Sequence, residues 1–187
     1  QRGFSFQADG PLDMRMDPNL NVTAADIINN FDQRRLNEIF KTFGEAKYSW
    51  AVASAICRAR QIKPIETTNE LARIIEHEVY RGEKHKFKNR MVKIHPATKT
   101  FQALRIVVNS ELLNLDESLP QTVNLMKPGG RLAIISFHSL EDRIVKRFFK
   151  QEARLKIITA KPVGPQAQEI KANPRARSAK LRVAERI

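Results

Sequence analysis

Three short segments of the chain concentrate side chains that can do chemistry. The first joins Arg2–Phe6 (RGFSF) to Asp9–Asp17 (DGPLDMRMD), placing aromatic, Met, Arg and Asp residues around glycine-permitted turns. That composition suits stacking on, and hydrogen bonding to, a flat heteroaromatic ring, since π faces and polar edges are both on offer. It equally suits a loop tucked onto a domain by Phe4, Phe6, Leu12 and Met14. The second is Ser136–Arg143 (SFHSLEDR), at the point where an apolar run gives way to a helical pattern. His138 there can exchange a proton near neutral pH, and ligands collect at strand ends in open α/β sheets. Ser139 and Glu141 can also be nothing more than a helix cap and a first-turn acid. The third is Asn173–Arg182 (NPRARSAKLR), a turn into a strand whose Arg and Lys side chains suit phosphate contacts, or a solvated surface turn.

Other signatures are missing. The chain has no P-loop, no G-x-G-x-x-G, no paired cysteines at metal spacing and no H-E-x-x-H, and its four histidines lack ligand spacing, so no metal is expected. One cysteine, Cys57, excludes an intrachain disulfide and fits a reducing compartment. No apolar window is long enough for a membrane span, so a soluble intracellular protein is expected.

The charge is uneven. Lys and Arg number 33 against 20 Asp and Glu, a formal +13. Residues 81–99 carry a net +6 (Arg81, Lys84, Lys86, Lys88, Arg90, Lys93 and Lys99 against Glu83), and residues 151–187 carry another +6. Clustered cations attract phosphate backbones and release their counterions. Charge alone therefore admits a non-catalytic, basic RNA-binding module as well as an enzyme.

The elements that must position these segments fall into two blocks. Residues 1–22 are irregular. Helices are then expected from a Thr23 cap to Asn30, after an Asp32 cap to Gly44, from about Glu45 to Gln61, and from Thr67 to Gly82. After Pro96 the pattern changes to one long helix over Thr98–Ser118, a strand at Arg131–Phe137, and a helix capped by Ser139. Further strands are expected at Leu155–Thr159 and Ser178–Arg186. The near-continuous apolar run of the first strand predicts a parallel sheet covered on both faces, as in the C-terminal half of an open α/β fold. So few parallel strands would leave a core edge open, and the opening Gln1-Arg2-Gly3-Phe4 reads as the middle of a longer chain.

Taken in order, RGFSF…DGPLDMRMD (Arg2–Asp17), HPATKTFQALRIVVNSEL (His95–Leu112), KPGGRLAIISFHSLEDRIVKRFF (Lys127–Phe149) and NPRARSAKLRVAER (Asn173–Arg186) closely resemble the bacterial small-subunit rRNA (cytosine-N4) methyltransferases of the MraW/RsmH type, with their organellar relatives. The resemblance runs along essentially the whole chain. It implies an α/β fold, the C-terminal part of a class I (Rossmann-like) methyltransferase with an inserted all-helical domain. It divides the chain into an active-site loop region (1–22), an inserted helical domain (23–95) and the C-terminal part of the methyltransferase domain (96–187). It implies S-adenosyl-L-methionine as methyl donor and small-subunit ribosomal RNA, or the assembled small subunit, as partner. It places the protein in the bacterial cytoplasm, or in an organellar matrix in a eukaryote. The family's glycine-rich donor loop, its ribose-binding acid and an Asp motif ahead of RGFSF have no counterpart here, so no donor-binding residue is assigned.

Methyl transfer to an exocyclic amine needs an acceptor for N4–H and in-line alignment, without a covalent intermediate. Transfer to C5 would need a cysteine nucleophile, and Cys57 lies on an amphipathic helix where a small packed residue is expected. Asp13 and His138 are the candidates for the reacting end. Arg15, Arg143, Arg175 and Arg177 are the candidates for phosphate contacts.

Overall fold

The structure, a computed structural model, describes residues 2–82 and 95–187. The expectation that Lys84, Lys86, Lys88, Arg90 and Lys93 form a basic patch lies outside the described residues. The chain forms two compact units, Gln1–Ser110 and Glu111–Ile187.

The first unit is helical: α1 (Ala24–Asn30), α2 (Gln33–Thr42), α3 (Ser49–Arg60), α4 (Thr68–Gly82) and α5 (Ala97–Val108). The start signals read from sequence are the ones used. Thr23 and Asp26 exchange backbone bonds in a capping box, and the Asp32 carboxylate accepts from Arg35 N. Thr67 and Glu70 cap α4 in the same reciprocal way. Glu66 N, Thr67 N and Lys63 Nζ all donate to the Glu70 carboxylate, which holds its pKa down at about 2. Helix α3 begins at Ser49 rather than near Glu45, because Glu45 takes a left-handed φ of 48° that no helix accommodates. The core joins Leu36, Phe40, Ile56, Leu71, Ile75 and Leu104 to Leu12 and Met14 of the irregular N-terminal segment. That packing puts residues 1–22 in the same compact unit as the helices. Cys57 is a half-buried neighbour of this core.

The long helix expected over Thr98–Ser118 is two helices, α5 and α6 (Glu111–Leu125). Asn109 ends α5 and Ser110 has φ 50°, which no helix accommodates, so the helix is interrupted where the apolar periodicity alone reads as continuous. The amphipathic pattern is correct on each side and silent about the break.

The second unit contains α6, β1 (Arg131–Ser136), α7 (Ser139–Gln151), β2 (Leu155–Ile157), α8 (Ala167–Ala172), a 3-10 turn (Pro174–Ser178) and β3 (Lys180–Arg186). The sheet order is β1-β3-β2, with β3 antiparallel to both neighbours. The expectation of a purely parallel sheet is corrected here. Strands β1 and β2 run the same way, joined by α7 as a βαβ crossover, and β3 enters between them in the opposite sense. Nor are both faces of β1 covered: Leu132 and Ile134 join the core, while Ala133 and Ile135 are exposed, Ile135 at 57%. The apolar run thus conceals a two-residue alternation. The core of this unit gathers Val123 of α6, Val145 and Phe149 of α7, Leu155 and Ala184. No described helix is long and apolar enough to cross a membrane.

Candidate functional site

In the first unit the two halves of the N-terminal motif clamp each other. Met14 N donates to Arg2 O at 2.7 Å, and Arg2 Nη1 donates to Met16 O at 2.7 Å. Gly3 makes the approach possible: it has φ 70°, and a Cβ there would lie 2.0 Å from Pro11 O. The loop is then tied down on three sides. Leu12 N bonds Glu66 O, and Thr68 donates to both Gly10 O and Ala8 O at the start of α4. Ala24 N and Ala25 N donate to Asp13 O and Leu12 O at the start of α1. From the end of α5, Asn109 Nδ2 donates to Met14 O at 2.8 Å and its Oδ1 accepts from Met16 N at 2.6 Å. Phe6 stacks on His95 with centroids 4.3 Å apart and meets Phe101 edge-on, anchoring RGFSF to the α5 region.

This scaffold fixes Asp13. Arg15 grips its carboxylate with two parallel bonds, Nε to Oδ1 at 2.7 Å and Nη2 to Oδ2 at 2.9 Å, and Arg15 N adds a third at 3.0 Å. The hydrogen bond from the Arg15 side chain, with its charge close by, holds the Asp13 pKa below the ordinary carboxylate value despite partial burial. Asp13 is therefore ionised at neutral pH. Its Oδ2 accepts a single bond from Arg15, which leaves acceptor capacity for one more donor. The same geometry redefines Arg15. Its Nη1 also donates to Pro18 O and Leu20 O, so four of its five N–H groups close the loop. Alongside, Arg2, Gly3, Phe4, Ser5, Ala8 and Gly10 line an open cavity of about 290 Å³, with Phe4 40% exposed.

In the second unit, His138 lies just past the carboxyl end of β1, as the sequence places it. The helix cap is His138 itself rather than Ser139. Its Nδ1 accepts from Glu141 N, and the Glu141 carboxylate accepts from His138 N and from Phe137 N. The imidazole plays the part that Ser or Asp usually takes. Glu111, unremarkable in the sequence, comes within 4.8 Å of His138 and Glu141 through their potential ligand atoms. A metal centre fits this trio poorly: an Nδ1 that accepts a backbone N–H leaves the ring proton on Nε2, which faces Glu141 Oε1 at 3.4 Å. Ser136, the last residue of β1, buries a hydroxyl that has no hydrogen-bond partner among the described residues.

One residue further along α7 from Glu141, Asp142 is gripped by Arg182 of β3, with Lys180 Nζ at 3.5 Å. The Arg182 hydrogen bond lowers the Asp142 pKa. Arg143 follows on the exposed side of α7, and Arg175 and Arg177 project from the 3-10 turn, which Asn173 caps by accepting from Arg175 N. Asp13 and Arg15 thus belong to one compact unit, and His138, Arg143, Arg175 and Arg177 to the other. The structure brings Asp13 and Arg15 into direct contact and sets Arg175 and Arg177 on one turn. Sequence reasoning missed Asn109 and the Asp142–Arg182 pair. For Asn109 a signal existed, since Asn-Ser is a poor helix interior.

The sequence profile of the MraW methylase family matches residues 1–187. Among curated relatives, the ribosomal RNA small subunit methyltransferase H of Persephonella marina is 50% identical over 190 residues, covering 100% of this chain and 63% of the relative. The proteins of the same name from Halothermothrix orenii and Trichodesmium erythraeum are 47% and 48% identical, again over 100% of this chain and 64% and 63% of theirs. The chain therefore spans a little under two thirds of these relatives' length. With a match that runs from end to end, through the Asp13 loop, the His138 cap and the Arg175 turn alike, this chain belongs to the MraW methylase family.

Proposed function

We propose that the protein carrying this chain methylates the N4 amine of a cytosine in small-subunit ribosomal RNA, with S-adenosyl-L-methionine as donor, in the bacterial cytoplasm. Family membership and the names of the relatives support the reaction class. The observation that carries the acceptor chemistry is the Asp13–Arg15 pair: a carboxylate kept ionised, locked in orientation, with acceptor capacity left on Oδ2.

The N4 lone pair of cytosine is delocalised into the ring, so the amine is a weak nucleophile. A fixed anionic acceptor for N4–H concentrates electron density on nitrogen as the bond to carbon forms. Asp13 supplies it, and Arg15 prevents it from rotating away. The open cavity beside Phe4 offers an apolar face on which an unstacked base can lie. The donor supplies an electrophilic methyl group on a sulfonium. The described residues contain no glycine-rich loop of the kind that cradles such a donor, and no residue of this chain is assigned to hold it. The β1-α7-β2 crossover supports placement of the second unit in a class I, Rossmann-like sheet. On this reading α1 to α4 form the inserted domain (residues 23–95), α5 belongs to the methyltransferase domain, and the N-terminal loop is the active-site segment packed against these helices. His138 is assigned as the cap that shapes the strand end, and Arg143, Arg175 and Arg177 as phosphate contacts on the RNA.

The test is direct. The full-length protein is incubated with isotopically labelled S-adenosyl-L-methionine and small ribosomal subunits, and the digested RNA is analysed by nucleoside mass spectrometry. Labelled N4-methylcytidine supports the proposal. Label on another nucleoside, or none with donor binding intact, overturns it.

A further inference from the structure

Asp13 is held by more than Arg15. Asn109 is buried at the end of α5, 95 residues from Met14, and its carboxamide pairs with the backbone on either side of Arg15. Oδ1 accepts from Met16 N at 2.6 Å, and Nδ2 donates to Met14 O at 2.8 Å and to Arg105 O at 2.9 Å. The amide thus bonds the loop much as a neighbouring strand would, one donor and one acceptor spanning two residues. The bond to Arg105 O ties that false strand to a rigid helix. Two left-handed backbones flank the latch, Met14 at φ 62° and Ser110 at φ 50°. Neither residue is glycine, so each conformation is strained and persists because the contacts around it insist on it. Met14 is also fully buried, so the loop cannot relax by swinging that side chain out.

From this geometry we propose that Asn109 is a positioning residue: it acts through the Met14–Met16 backbone to hold the Asp13 carboxylate where it meets the substrate amine. The inference rests on the reading of Asp13 as the N4–H acceptor. Arg15 sets the direction of the carboxylate, whereas Asn109 sets the position of the loop that carries it. No other side chain type of this size offers a donor and an acceptor side by side. Aspartate keeps the acceptor for Met16 N but sets a second oxygen against Met14 O and Arg105 O. Serine is too short to reach both partners.

The experiment uses the full-length protein with Asn109→Ser, Asn109→Asp, Asp13→Asn and the double variant Asn109→Asp/Asp13→Asn. Amide hydrogen exchange, read without turnover, judges the latch apart from the chemistry. In Asn109→Ser the Met16 amide is expected to exchange faster while the amides of α2 and α3 keep their protection. Unchanged exchange at Met16 would overturn the latch. In turnover, each Asn109 variant is expected to lower kcat by roughly 10²-fold with KM for the subunit little changed, the cost of misplacing a reacting group by about 1 Å. In the double variant, adding Asn109→Asp to Asp13→Asn is expected to lower kcat little further, because both changes disable one device. Multiplicative losses, or a fall confined to KM, would show that Asn109 does not act through Asp13. The serine variant, with no new charge, keeps the test decisive if the aspartate variant fails to fold.

Discussion

The guanidinium of Arg182 meets the carboxylate of Asp142 edge to edge, Nε to Oδ1 at 2.7 Å and Nη2 to Oδ2 at 3.2 Å, with both side chains largely out of water. The pair fastens α7 to the middle strand β3 and so fixes the helix that His138 caps and whose first turn carries Glu141. Removing one partner leaves the other charge buried. Arg182→Met is therefore expected to destabilise the second unit by roughly 3 kcal/mol, measured by denaturant unfolding. Loss of less than about 0.5 kcal/mol, the scale of an exposed pair, would show that the contact is not desolvated in solution. The pH dependence has a defined sign. The folded-state pKa of Asp142 is depressed by Arg182, so its contribution is complete above roughly pH 5 and is lost as pH falls through the folded value. Asp142→Asn should be less stable than wild type near neutrality, and its stability should fall less steeply on acidification.

Gly3 tests whether the two halves of the N-terminal motif need their close contact. A Cβ at this position would lie 2.0 Å from the Pro11 carbonyl oxygen, in a backbone conformation that L residues rarely adopt. Both atoms are constrained, since Pro11 leads into the Leu12–Glu66 bond and Arg2 bonds Met14 and Met16. Gly3→Ala is expected to separate RGFSF from the Asp13 loop, lowering turnover of the full-length protein at least tenfold, about 1.4 kcal/mol in the barrier. The helices should stay folded by circular dichroism. A fully active Gly3→Ala protein would show that the clamp is dispensable.

Much of this architecture was legible because local signals agreed with tertiary packing. Thr23, Asp32 and Thr67 start helices where their side chains say they should, and the apolar faces of α2 and α4 point inward. The misses share a cause. Period alone cannot detect a break across which the apolar spacing of the sequence continues, so the helix end at Asn109–Ser110 was hidden. Strand direction is a property of the sheet, so β3 between β1 and β2 could not be read from its alternation. In the site, Asp13 and Arg15 were visible as residue types but their mutual grip was not, because side-chain pairing two residues apart in an irregular loop depends on the backbone path, which carries no periodic signal. Asn109 lay far from every motif it serves.

His138 separates capping from chemistry. Its Nδ1 accepts a hydrogen bond from the Glu141 backbone N–H, a job that asparagine can do with its side-chain oxygen. His138→Asn is therefore expected to keep stability within about 0.5 kcal/mol and most of the methylation rate, whereas His138→Ala should lose about 1 kcal/mol, the usual worth of an N-cap. Thermal unfolding and single-turnover methylation of both variants check this. An asparagine variant that is stable but nearly inactive would show that the imidazole itself takes part in the reaction.

The arginines of the 3-10 turn and those of the N-terminal loop should respond differently to neutralisation. Arg175 and Arg177 are exposed, on a turn whose shape depends on Asn173, Pro174 and the buried Ala176 rather than on their charge. If they meet phosphates, Arg175→Gln and Arg177→Gln should each reduce the slope of log affinity against log salt by roughly 0.7 to 0.9. They should do so for rRNA and unrelated RNA alike, leaving kcat at saturation intact. Arg15 has only one N–H not already bonded within its loop, so Arg15→Gln should leave the salt slope nearly unchanged. It should instead free Asp13, raising that carboxyl toward its ordinary pKa and lowering kcat. Binding titrations at several salt concentrations, beside saturating turnover, distinguish the two behaviours. A salt slope that falls with Arg15 and not with Arg175 or Arg177 would reverse the assignment and place the phosphate contact at the N-terminal loop.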